Sequence, residues 1–355
     1  MVQTYKVTQA PKKRDYSLTG ESTKWAIENG LASADWCEIN VPRKTMKALM
    51  RRKNGPAIRD TLIWFLLLGA TGYLAWLSWG SWWSIPAFMV YGISYASCGD
   101  ARWHECSHGT AFRTRWLNDV IYHLASFTML RNGTLWRWQH ARHHTDTLIV
   151  GRDPEIAIPR PPPFGRILAN LLYLHEGGRQ LARMARHIFG TLSEDEKDFV
   201  PESERWKVVL EARIQFILLA AVAFWCFSIG SIMPALFIGL PTFYGAWLSI
   251  VVLDLTQHTG LAENVLDHRK NCRTMRINPV LRFIYWNMHY HTEHHMFPNV
   301  PYHALPKLYE EVKNDMPAPY PSLWAAWKEM LITMWRQRRD LNYYAKRPVP
   351  GEQQP

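Results

Sequence analysis

The 355 residues could form one large soluble domain, but the 48% that are hydrophobic lie in long runs rather than at helical or strand periods, and this clustering favours membrane spans. The formal charge of +11 sits on segments that flank those runs and carry no recognisable nucleic-acid motif, so an anionic membrane surface is the expected partner and a nucleic acid is not. Five cysteines, Cys37, Cys98, Cys106, Cys226 and Cys272, lack zinc or iron-sulfur spacing, and no disulfide framework is expected.

In chain order, the start lacks the apolar core of a cleavable signal peptide, so insertion is expected to depend on the first span. Arg43, Lys44, Lys47, Arg51, Arg52 and Lys53 make a basic approach to it. From Thr61 to Gly99 there is no Asp, Glu, Lys or Arg, enough helix at about 1.5 Å per residue to cross a roughly 30 Å hydrocarbon core twice. The turn is expected at Trp79-Gly80-Ser81-Trp82-Trp83, where Gly and Ser break the helix and tryptophans suit a headgroup interface. Ile214 to Leu253 is a second uncharged stretch, turning near Ser228 to Pro234. The expected fold is therefore an all-α integral membrane protein with four transmembrane helices paired as two hairpins, at about 61–79, 82–99, 214–231 and 234–254, under a cytoplasmic helical cap that holds the histidines. Neither turn carries Lys or Arg, so the positive-inside rule puts both termini and the intervening segments in the cytoplasm, with a bacterial inner membrane as the expected location. The implied divisions are a basic segment 1–59, a membrane domain 60–310, and a C-terminal helical segment 311–355 whose tail from Lys346 is expected to be disordered. Between the hairpins, Ile158 to Phe164 reads as a stiff non-helical linker, and Arg179, Arg183 and Arg186 recur at helical spacing among apolar residues.

Three histidine clusters follow the apolar runs or lie between them: His104-Glu-Cys-Ser-His108, His140-Ala-Arg-His143-His144 and His291-Thr-Glu-His294-His295. Residues three and four apart share a helix face, so each cluster aims two or three imidazoles one way. Neutral imidazole suits zinc, copper, iron and nickel, and so many convergent ligands exceed one ion's ordinary coordination, which makes two metals the economical reading. Cys106 lies between two ligands of its helix and points elsewhere, into packing.

The order His-x3-His, His-x2-His-His, His-x2-His-His, with a last box reading Tyr290-His291-Thr292-Glu293-His294-His295-Met296-Phe297-Pro298, resembles the membrane fatty acid desaturase and hydroxylase superfamily over most of residues 57 to 310. That resemblance implies a non-haem di-iron centre on His104, His108, His140, His143, His144, His291, His294 and His295, with dioxygen as co-substrate. It also implies one further ligand near the end of the last span, for which His258 is the candidate. Supporting roles around the metals are expected for Asp254, Glu293, Asp153 and Asn287, with Glu105, Asp146 and Glu155 also near boxes.

The reading is a membrane oxidoreductase that introduces a double bond into an unactivated C–H pair, most readily in a fatty acyl chain. Hydroxylation or oxidative demethylation of a smaller, non-lipid substrate is the alternative, since the third box and the run Asp153-Pro154-Glu155-Ile156-Ala157-Ile158-Pro159 also look similar to bacterial desaturase-like proteins linked to rhizopine breakdown and dihydrorhizobitoxine synthesis. A histidine-rich metal transporter or store would need polar residues within its spans, and neither apolar stretch has an ionisable carboxylate or cation before Asp254. The chain shows no ferredoxin cysteine spacing, no dinucleotide fingerprint and no fused cytochrome b5 domain, so electrons are expected from an external ferredoxin, rubredoxin or cytochrome b5-like carrier and its reductase.

Overall fold

The computed structural model describes residues 14–33 and 35–351, and over them the chain is helical, with only two isolated bridges, Thr274 to Tyr290 and Met275 to Tyr320, and no strand. Two helices are long and apolar enough to cross a membrane; they lie within Arg43–Leu77 and Glu202–Ser228. Their faces explain why. In the helix Asn54–Leu77 the buried positions are few, among them Ala57, Thr61, Trp64, Gly72 and Ala75, while Leu62, Leu66, Tyr73, Leu74 and Trp76 are exposed. Apolar surface on that scale marks a contact with a membrane or another protein. The helix Arg205–Ser228 repeats the pattern, with Ile217, Phe224 and Phe227 exposed.

The other two uncharged segments differ from each other. Ser84–Gly92 runs through a π-helical turn, Ile93–Ser97, into Cys98–Ser107, so one helical run leads from the apolar region into the first box. The segment expected to form one span over 234–254 is broken instead into Met233–Phe237, Pro241–Gly245 and a π-helical Leu248–Leu253. Pro241 cannot continue the preceding hydrogen-bond ladder, and Gly239 turns the chain with φ of 90°.

Small residues lock these two segments together. A Cβ on Gly245 would fall 1.9 Å from the carbonyl carbon of Gly92, so only glycine permits this approach. Beside it Ser97 donates its hydroxyl to the Gly245 carbonyl at 2.7 Å and accepts the Ser249 N–H at 3.0 Å. The contact lies about two to three turns before His104 and a few turns before His258, and so sets the spacing of histidines from two distant segments of the chain.

The C-terminal part packs back on this core. Met330 and Met334 of the helix Leu323–Gln337 bury against Val251 and Leu255, and the Trp327 indole donates to the Val252 carbonyl at 2.8 Å. The tail expected to be disordered from Lys346 is instead anchored as far as it is described: Arg347 donates to the Cys272 and Ala318 carbonyls, and Val349 is buried. A guanidinium with several carbonyl acceptors outweighs the local Pro-rich composition on which the expectation rested. The last four residues, 352–355, lie outside the described residues.

Candidate metal centre

Each histidine box is presented by a helix whose ends are fixed elsewhere. The second box occupies the C-terminal half of Gly133–Asp146; Asn132 caps its start by accepting the Leu135 N–H, and Glu211 of the long apolar helix accepts the Gly133 and Thr134 N–H groups at 2.9 and 2.7 Å. A carboxylate at a helix N-terminus satisfies orphan donors and opposes the dipole, so this contact ties the box to a helix long and apolar enough to cross a membrane. The third box forms the short helix His291–Met296, and the first ends Cys98–Ser107.

The ring nitrogens converge in two groups. One gathers His104, His108, His140, His144 and His294; the other gathers His143, His258, His291 and His295; within each, the donor atoms lie within 4.8 Å of one another. Every box contributes to both groups except the first, and His258 supplies the fourth member of the second. Several contacts join two Nε2 atoms directly: His291 to His258 at 2.8 Å, His295 to His291 at 3.0 Å, and His140 to His108 and to His144 at 3.1 Å. Both nitrogens of His104 and of His294 are buried without a hydrogen-bond partner. Buried imidazole nitrogens that face one another with no donor between them fit a shared cation, and the residues present fit a metal site.

The electrostatics agree. Burial pushes His104, His140, His144, His258, His291, His294 and His295 well below the usual imidazole range and His108 to about 4, which keeps them in the neutral form that binds metals. For His143 burial also acts downward, but the neighbouring Asp153 and Glu155 carboxylates outweigh it and leave the ring at about 8.

The far nitrogens are held in place. His143 Nδ1 meets both Asp153 oxygens at 2.9 Å, His140 Nδ1 meets Glu155 at 3.0 Å, His295 Nδ1 meets the Thr147 hydroxyl at 3.1 Å, and His258 Nδ1 donates to the Asn271 carbonyl at 2.8 Å. Such partners fix the tautomer that leaves Nε2 free.

Of the supporting residues expected from sequence, Asp153 reaches a histidine of the second box, His143, whereas the other three reach none of the nine. Glu293 is turned away from the ring nitrogens and accepts the Thr274 hydroxyl; inside a short helix the residue between ligands faces the opposite side. Asn287 donates to the Tyr302 carbonyl at 3.1 Å. Asp254 lies beside Asp100 and Tyr285. Of the others near boxes, Glu105 accepts from Thr110 and from the Tyr302 N–H, and Asp146 pairs with Arg142 and Arg152. Thr147 and Asn271 were not anticipated; Thr147 lies three residues after the second box, at the end of its helix, while a backbone carbonyl leaves no sequence signal. His268 and Cys272 come within 4.8 Å of a His295 nitrogen, with the Trp36 ring stacked 4.0 Å from the imidazole of His268.

The fatty acid desaturase family pattern matches residues 80–327, well over half of the chain. The sn-1 acyl-lipid omega-3 desaturase (ferredoxin) of Nostoc sp. (strain 36) is 24% identical over 279 residues, covering 73% of this chain and 74% of that protein. The endoplasmic reticulum omega-3 fatty acid desaturase of Nicotiana tabacum is 26% identical over 302 residues, covering 74% and 75%. A ferredoxin-named chloroplastic sn-2 acyl-lipid omega-3 desaturase of Arabidopsis thaliana is 24% identical over 72% of this chain and 60% of its own length. With helical histidine boxes meeting in two buried groups beside apolar helices, and with this match, the chain belongs to the fatty acid desaturase family, whose members are oxidoreductases.

Proposed function

We propose that the chain is a membrane di-iron oxidoreductase that uses dioxygen to desaturate an unactivated C–H pair, in keeping with the acyl-lipid substrates named for its relatives. The observation that carries this reading is the division of nine histidines into groups of five and four around separate points. His104, His108, His140, His144 and His294 would hold one iron, and His143, His258, His291 and His295 the other. Bound there, a pair of irons supplies the redox chemistry that lets dioxygen take hydrogen from an unactivated carbon.

The protein's own part is geometric and electrostatic. Asp153, Glu155, Thr147 and the Asn271 carbonyl hold four imidazoles with Nε2 directed inward, and burial keeps the rings other than His143 neutral. Removing two hydrogens with one dioxygen yields two waters and consumes two electrons and two protons beyond those of the substrate. With no fingerprint for a flavin, nicotinamide, haem or iron-sulfur group in the chain, the electrons come from a ferredoxin, rubredoxin or cytochrome b5-like carrier; of these, ferredoxin is the one named for two relatives. Four membrane passages, with both termini and the histidines on the cytoplasmic face, follow from the uncharged turns at Gly80 and Gly230.

A second reading, oxidation of a smaller non-lipid molecule, is favoured by one observation: the cavity that reaches the histidines is lined by Asp100, Arg131, Glu155 and Asp254 among others. The test is mass spectrometry of products from membranes supplied with lipid, dioxygen, NADPH, ferredoxin and ferredoxin reductase. A dioxygen-dependent loss of two hydrogens from a lipid supports desaturation, a gain of oxygen supports hydroxylation, and no change in any fraction refutes the redox assignment.

A further inference from the structure

The helix Leu323–Gln337 has two faces of different character. Its inner face buries Met330, Thr333 and Met334 and is fastened to the segment that presents His258. Arg273 donates to the Thr256 and Thr259 carbonyls at 3.2 and 2.6 Å and reaches Glu329 of the helix at 3.3 Å. Just after His258, a Cβ on Gly260 would lie 2.9 Å from Thr333 Cγ2. Met330 and Met334 pack on Val251 and Leu255, to either side of Asp254, where the uncharged stretch that begins at Ile214 ends. The helix therefore lies at the level where an apolar segment gives way to charge.

Among the described residues nothing covers the outer face. Trp324, Leu331 and Trp335 stand at i, i+7 and i+11 on one side, with Ile332 beside them, and the two tryptophans are 72% and 60% exposed. Lys328, Arg336, Arg338 and Arg339 are exposed among and just beyond these side chains. Arg338 lies 4.9 Å from the Trp335 ring centre and Arg336 donates to the Tyr343 hydroxyl at 2.7 Å, and each guanidinium keeps further N–H donors. Opposing charge is limited: Glu329 is engaged by Arg273 and Tyr320, and Asp340 accepts the Asn342 N–H.

An exposed apolar stripe marks a contact with a membrane or another protein, and three features choose the membrane. The helix is held at the end of an apolar segment, tryptophan suits the headgroup level, and a flank of Lys and Arg suits anionic headgroups. The helix Phe164–Ala169 extends the same surface: Phe164 and Ile167 pack on the shared cluster, while Leu168, Leu171 and Leu172 are exposed.

We propose that the helix Leu323–Gln337 lies in the headgroup region of an anionic leaflet, with Trp324, Leu331 and Trp335 among the upper acyl chains and Lys328, Arg336, Arg338 and Arg339 on lipid phosphates. This placement rests on the reading of the uncharged stretches as membrane spans. Through Arg273, Gly260 and Thr333, the bilayer that seats the helix also steadies the segment bearing His258.

The test places a bimane label at Leu331→Cys, at the exposed Glu310→Cys or at Leu66→Cys, 72% exposed on Asn54–Leu77, in full-length cysteine-free protein in nanodiscs of phosphatidylcholine and phosphatidylglycerol. Quenching by aqueous iodide is compared with quenching by either lipid carrying a nitroxide. At Leu331 the lipids quench and iodide does not, and at Glu310 the reverse holds. Nitroxide-bearing phosphatidylglycerol quenches Leu331 about fivefold or more better than nitroxide-bearing phosphatidylcholine. Arg336→Gln, Arg338→Gln and Arg339→Gln together remove that preference, whereas Lys at the same three positions keeps it. Should the Gln variant fail to fold, the preference of the parent decides. Iodide reaching Leu331 as readily as Glu310, or equal quenching by the two lipids, overturns the proposal. So does protection of Leu331 from every quencher together with a disulfide-linked dimer, which would make a second copy the occupant. Lipid quenching at Leu66 with iodide quenching at Leu331 overturns this placement alone, whereas iodide quenching at Leu66 overturns the membrane reading itself.

Discussion

His143 and Asp153 form the most tightly defined pair at the centre: the Nδ1 atom lies 2.9 Å from each carboxylate oxygen, and the Asp153 side chain is fully buried. Its oxygens also accept the Leu148 and Glu155 N–H groups at 2.7 and 2.8 Å, so the carboxylate is itself fixed before it fixes the ring. Replacement by Asn keeps the shape and most of the backbone bonds but removes the charge. Asp153→Asn is expected to weaken metal retention about 10- to 100-fold with little change in folding. Competition with a chelator, followed by metal analysis, checks this, and retention equal to the parent would deny Asp153 its role.

His258 comes from a segment remote from the boxes, yet its Nε2 lies 2.8 Å from that of His291 in the four-membered group. His258→Ala should cost about one of two metals, leaving the five-histidine group loaded. His289→Ala is the control: that ring is buried but belongs to neither group, and its loss should leave stoichiometry unchanged. Metal-to-protein ratios of the two variants decide, and equal effects would remove the distinction between a ligand and a neighbour.

Away from the centre, Glu196 binds the helix Leu174–Ile188 to the short helix it caps. It faces His187 at 3.1 Å, Arg183 and Arg186 at 3.4 Å, and the Ser193 N–H at 2.8 Å. Burial alone would raise its carboxyl, but these partners, led by His187 and the Ser193 amide, hold it at about 2. A depressed acid stabilises the fold above its unfolded value of about 4.5 and loses that contribution as pH falls toward 2. Glu196→Gln should therefore destabilise by roughly 2–3 kcal/mol at neutral pH, with the difference shrinking progressively below about pH 4.5. Denaturant melts of parent and variant across that range test it, and a difference that stays constant with pH would assign the effect to packing.

Topology is open to chemical labelling. In a cysteine-free background, Cys at Ser81 or Ser231 should react with an impermeant reagent added outside intact cells, whereas Cys at the exposed Glu310 should react only after permeabilisation. Labelling of Glu310→Cys in intact cells would invert the arrangement, and protection of Ser231→Cys would remove the second hairpin.

Dependence on a carrier gives a fifth expectation. With a basic chain of net charge +11, turnover supported by an acidic ferredoxin should slow as salt rises, since screening shortens electrostatic reach from about 10 Å at 0.1 M to about 3 Å at 1 M. Steady-state rates over that range check it, and sustained product formation from NADPH with no carrier present would contradict it.

The boxes were readable from sequence because helical spacing places ligands three and four apart on one face, and the structure gathers all eight. His258 needed the family resemblance, since a lone histidine at a helix end carries no period. Proximity in sequence misled for Glu293, which sits within a box but on the far side of its helix, and for Asn287, whose amide serves the Tyr302 carbonyl. It served for Asp153 because a turn after the second box brings the chain back over His143. The fourth apolar segment reads as one span by charge alone; Pro234, Gly239 and Pro241 contain the information that it is broken, but hydropathy does not express it. The Asn271 carbonyl and the anchoring of Arg347 depend on tertiary contacts that no local pattern encodes.

The central claim is that two irons sit in the two histidine groups. Its most direct test is metal analysis of purified protein expressed with ample iron, alongside His143→Ala and His294→Ala, one variant for each group. About two irons per chain in the parent, with iron lowered and turnover abolished in both variants, is the expected result. Full activity in either variant, or an active parent that holds a single zinc and no iron, would contradict it.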